Sequence, residues 1–176
     1  IHTKGHTIGF NKAAVQWGNS VARDFGSALW ATPDTVTDKS NRLRLLDYGV
    51  LQPSDTWSMM YVGIWDRYDN GADEHSMTDW YSLGVRPIYN ITRHFALAVE
   101  AGLDHTRQEG AAADGDDLSG TLGKITLCPE IRLSPDFWAR PVLRAFATLA
   151  QWSSDFEGSV GGTPYKDDTR GMNFGV

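Results

Sequence analysis

A single cysteine, Cys128, stands in the 176 residues, so no disulfide forms within the chain and its redox compartment is left open. A lone cysteine of this kind is read as a small packed residue. Basic residues are also short, with 16 Lys and Arg against 22 Asp and Glu and a net charge of -6. Phosphate recognition needs clustered cations, so no nucleic-acid partner is expected. No run approaches the ~18 apolar residues of a membrane-spanning helix, and no secretory signal pattern opens the chain. Neither absence bears on a membrane β-barrel, whose alternating strands leave only a weak hydropathy trace. Chemical motifs are equally sparse. "DRYDNG" at 66–71 lacks calcium-loop spacing, and His2 and His6 have no further ligands in pattern, so no metal is expected. A glycosidase needs two carboxylates across a sugar bond, and nothing places two of Glu100, Asp104 and Glu130 in that relation. Neither enzymatic activity nor a cofactor is therefore expected.

What the chain does have is alternation. Written as a strand, "DFWARPVLRAFATLAQW" (136–152) puts Phe137, Ala139, Pro141, Leu143, Ala145, Ala147 and Leu149 on one side. Trp138, Arg140, Val142, Arg144, Phe146, Thr148 and Ala150 fall on the other. The same period recurs at 7–17, 80–89, 94–106 and 123–133, and less cleanly at 41–52 and 57–66. With a short "MNFGV" at the end, eight strands are expected. Connectors alternate in length too. Long polar ones run roughly 24–40, 67–79, 107–119 and 153–169, while tight ones sit at "QPSD", "NITR" and "LSPD".

An antiparallel meander crossing a slab places all long loops on one side and all tight turns on the other, as outer-membrane barrels do. Trp57, Trp80, Tyr81, Tyr89, Phe95 and Phe137 lie near strand ends, where interfacial aromatic girdles belong. A soluble β-sandwich also alternates. Its polar face would be solvated throughout, whereas here the polar faces mix charge, glycine and aromatic rings, which suits a wet lumen. The weight of the alternation favours the membrane barrel.

The segments "GFNK" (9–12), "LRLLDYG" (43–49), "MMYVG" (59–63), "WYSLGVRPIY" (80–89), "GKITL" (123–127) and "FWARPVLRAFATLAQW" (137–152) together resemble the second half of the maltoporin family, the sugar-specific outer-membrane porins. They fall in the family's order along essentially the whole chain. The resemblance implies an all-β fold: residues 1–176 would form the C-terminal part of an eighteen-stranded antiparallel transmembrane β-barrel in the bacterial outer membrane. It implies a homotrimer in the lipid bilayer that passes maltose and maltodextrins by diffusion, with phage as a further partner at the surface loops. The loops at 107–119 and 153–169 depart from the family's pattern. Maltoporins line the pore with a slide of aromatic rings flanked by polar groups. Matched motif to motif, Phe10 and Trp138 take slide positions, and Arg140 and Arg144 are expected to donate to sugar hydroxyls. The alternatives are a general or other-sugar porin, such as one for sucrose, and a soluble β-rich carbohydrate-binding module.

Overall fold

Alternation sustained over so many segments calls for a sheet, and a computed structural model contains one. It describes residues 1–23, 38–71, 77–111 and 115–176. The strands are β1 (His2–His6), β2 (Gly9–Asn19), β3 (Asn41–Leu51), β4 (Trp57–Asp69), β5 (Met77–Asn90), β6 (Phe95–Gln108), β7 (Leu118–Arg132), β8 (Val142–Arg144), β9 (Phe146–Trp152) and β10 (Arg170–Gly175). All ten belong to one antiparallel meander in chain order, with β8 and β9 both against β7. Among the described residues helical structure is limited to short 3-10 turns.

Two strand segments exceed the eight expected. One is β1, a short hairpin partner of β2. The other comes from a break between β8 and β9, which hold a common register on β7, with Arg144 opposite Glu130 and Ala147 opposite Leu127. The interruption at Ala145 faces Pro129, which has no N–H to complete the ladder. Ala145 N still donates to Pro129 O at 3.2 Å. The larger departure lies just upstream. Residues 136–141 do not continue the strand, because 133–141 is a loop.

Register carries the alternation across the sheet. Leu83 pairs with Leu103, and Ile125 with Leu149, which in turn pairs with Met172. All five are at least half-exposed, on one face of the sheet. Aromatic rows bound this apolar face. Trp65 pairs with Tyr81 towards the long connectors, and Trp57 with Tyr89 beside the tight turns, where Phe95 pairs with Ile131. Tyr81 and Tyr89 stand ~26 Å apart along β5 before any tilt, close to the ~25 Å apolar band of a barrel. Trp80 and Phe137 belong to neither row. Trp80 points to the opposite face, where its indole donates to Asp104 Oδ1 at 3.1 Å, and Phe137 is buried. Within this face Asn11 Nδ2 lies 2.8 and 2.9 Å from the Asp47 oxygens and 2.8 Å from Tyr61 Oη.

The opposite face holds charge and a packed patch. Near the tight turns Val50, Ile88, Ala96, Ala98 and Cys128 form a buried cluster with Phe137, and Phe10, Met60 and Phe146 pack against it. Cys128 is thus a packed residue.

The strands β1 and β10 do not pair with each other, so both edges are open. In hydrocarbon each unpaired backbone group costs several kcal/mol. Residues 1–176 refolded alone in detergent are expected to give no monodisperse, protease-resistant monomer. Recovery of one by size-exclusion chromatography and limited proteolysis would show that these strands close on themselves.

Candidate functional site

The loop at 133–141 carries two of the four candidate residues, and its turn chemistry explains why it leaves the sheet. Pro135 and Pro141 both lack a ladder donor. Between them Asp136 builds a local turn: its Oδ1 accepts from Trp138 N at 2.7 Å and its carbonyl from Ala139 N at 3.0 Å. The loop then folds over the charged face and is pinned by three strand-end side chains. Gln52 Oε1 accepts from Phe137 N at 2.9 Å, Asn90 Nδ2 donates to Pro135 O at 2.9 Å, and Arg132 Nη2 donates to Asp136 O at 2.6 Å. Phe137 fills the space that the small side chains of Ala96, Ala98 and Cys128 leave in the buried cluster.

This anchoring delivers Trp138 to Phe10. Their rings are stacked at 6.5 Å between centroids with planes 14° apart, and Phe137 meets Trp138 edge-on at 4.9 Å. Phe10 in turn makes an edge contact with Tyr48 at 6.0 Å. Lys12 Nζ lies 5.5 Å from the Phe10 centroid and 5.7 Å from that of Tyr48. Trp138 remains 55% exposed, and the pair borders an open hollow of about 430 Å³ that also touches Gln52, Ser54 and Asp55. A flat apolar surface with polar groups at its margin can receive the C–H face of a sugar while its hydroxyls stay hydrated.

Beside this platform lies an ionic cluster around Glu130, which is fully buried. Its Oε1 accepts from Arg144 Nε at 2.7 Å and from Arg86 Nη2 at 3.1 Å. Arg132 Nε stands 3.8 Å from Oε2, and Glu100 lies 3.7 Å from Arg86 on the exposed side. Arg132 joins the two features, since its Nη1 also donates to Asn90 Oδ1 at 3.2 Å. Towards the long connectors a second cluster has Asp66 held by Arg42 and Arg44. Among the described residues no group of three His, Cys, Asp or Glu is arranged to hold a metal ion.

The fold agrees with one family. The model of the LamB porin family matches residues 1–176. The chain belongs to the LamB porin family. These are sugar-specific outer-membrane porins, transport channels rather than enzymes, with the all-β antiparallel architecture described above.

Within this LamB-family chain the four candidate residues separate. Phe10 and Trp138 meet, although Trp138 sits on a loop and not on the strand face its parity suggested. Arg144 occupies the charged face, bound to Glu130. Arg140 shares the loop; its Nη1 donates to the neighbouring Ala139 O at 2.7 Å, and it does not border the hollow. Sequence reasoning missed the anchors Gln52, Asn90 and Arg132 and the platform neighbours Tyr48 and Lys12. Only the turn was signalled, by Pro135-Asp136 and Pro141.

Proposed function

We propose that the chain forms one wall of a maltodextrin channel in the bacterial outer membrane, with its apolar face against lipid and its charged face lining the water-filled lumen. The observation that carries this reading is the stack of the exposed Trp138 on the half-buried Phe10 beside an open hollow on the charged face. The apolar face weighs against a soluble carbohydrate-binding module. Val15, Leu83, Leu103, Ile125 and Leu149 stand half-exposed or more, and a contiguous apolar surface of that kind marks contact with lipid or protein. Closure of the barrel requires strands beyond those described. The homotrimer remains part of the reading, and the Asn11–Asp47–Tyr61 group is better covered by a neighbouring copy than by lipid tails. In this scheme Phe10 and Trp138 stack on glucose rings, and Arg144, held by Glu130, presents its remaining donors to hydroxyls.

Each stacked ring contributes on the order of 1 kcal/mol, or roughly fivefold in affinity. The assembled channel in planar bilayers should show ion current blocked by maltohexaose, and Trp138→Ala should raise the half-blocking concentration several-fold. Its open conductance should change little, because the exposed indole can be removed while Phe137 stays packed. An unchanged half-blocking concentration would remove Trp138 from the site. Absence of block in the unmutated channel would favour a general porin.

A further inference from the structure

We propose that the Phe10–Trp138 platform is a subsite for acidic saccharides, with the Lys12 ammonium receiving the carboxylate or other anionic substituent of a stacked ring. The inference rests on the channel reading above and adds a ligand class to it.

The first observation is Lys12 itself. Register puts it on the charged face, opposite Tyr48 and two residues along β2 from Phe10. Its Nζ rests between the Phe10 and Tyr48 rings and forms no ion pair with a carboxylate among the described residues. Aromatic faces offer a cation partial compensation and leave its outward side open to an anion.

The second observation is the charge around it. On β1 to β4 the charged face carries a single carboxylate among the described residues, Asp66, and that is held by Arg42 and Arg44 near the opposite end of the strand. Further round the wall, Arg86, Arg132 and Arg144 share the buried Glu130, with Glu100 added on the exposed side and Asp104 further along β6 beside Trp80. Lys124 stands exposed on the same face, in register with Gly102. Cations therefore exceed carboxylates along this wall although the chain as a whole carries -6. Such an excess in a confined aqueous space lined by protein focuses a positive potential on whatever passes.

The third is polarity across the platform. Asp55 borders the hollow on the turn side, and Asp136 caps the Trp138 turn. Lys12 lies on the strand side. A ring stacked on Phe10 and Trp138 is thus driven to turn its acidic substituent towards Lys12 and away from these carboxylates.

The test compares two probes of equal length in the assembled channel, maltohexaose and a hexasaccharide bearing one uronate, by block of ion current in planar bilayers. A partly exposed ion pair supports a preference of about three- to fivefold for the uronate sugar at low salt. The preference should shrink at 1 M salt, where the screening length falls to ~3 Å. Lys12→Gln should bring the ratio of the two half-blocking concentrations near unity, and Lys12→Arg should retain it. Equal block by both sugars in the unmutated channel overturns the inference and leaves the maltodextrin reading standing, as does a preference that survives Lys12→Gln. Absence of block by either sugar overturns both.

Discussion

Glu130→Ala should destabilise the channel by about 3–5 kcal/mol, the range for removing one partner of a buried ion pair. Glu130 is fully buried, and Arg132 beside it is only 2% exposed. Once the carboxylate is gone, Arg144 reaches water and Arg86 keeps Glu100 within 3.7 Å. Arg132 has no such recourse, and its two strongest remaining bonds are to backbone at Asp136 and to the Asn90 amide. The cost therefore falls on the residue that anchors the Trp138 loop. Urea titration of channels refolded into vesicles would measure it. Arg144→Leu, which leaves Glu130 with two guanidinium partners, should cost far less. If Glu130→Ala unfolded at the urea concentration of the unmutated channel, the carboxylate would not be holding the cluster together.

The second large effect belongs to the other face. Leu149 and Leu143 are almost equally exposed, at 55% and 60%, so a water-soluble protein would treat charge at either alike. Their depths differ. Leu149 lies in the Ile125–Met172 row, between the two aromatic rows. Leu143 pairs with Ile131, level with Phe95 and the tight turns. In a bilayer Leu149→Arg should cost ~2–4 kcal/mol and sharply lower the yield of folded, heat-modifiable protein, while Leu143→Arg should cost ~0–1 kcal/mol. Gel-shift assays of folding into lipid vesicles read this directly. Equal folding yields for the two variants would take the apolar face out of the membrane.

These two predictions draw on different levels of information. The placement of Leu149 was legible from alternation, because strand parity is local: each side chain's face follows from its neighbours two residues away. Tight turns at 52–56 and 91–94 were legible for the same reason, from Pro, Ser, Asp and Asn chemistry within a few positions. Parity misled where a loop imitated it. Phe137, Ala139 and Pro141 continued the apolar side of β8 and β9 by composition, while Pro135-Asp136 and Pro141 broke the backbone that the pattern assumed. Phe137 consequently moved from an expected lipid-facing girdle to the buried cluster, and Trp80 from a girdle to Asp104.

The platform itself could not be read locally at all. Phe10 and Trp138 come together only because Gln52, Asn90 and Arg132, from the ends of three different strands, fix the loop across the charged face. Glu130 looked like one more pore charge until the register set it opposite Arg144, beside Arg132 and within reach of Arg86. Period-two patterning decides which way a side chain points. Which distant side chain it meets depends on register and loop path, and those are settled by hydrogen bonds and burial between residues far apart in the chain.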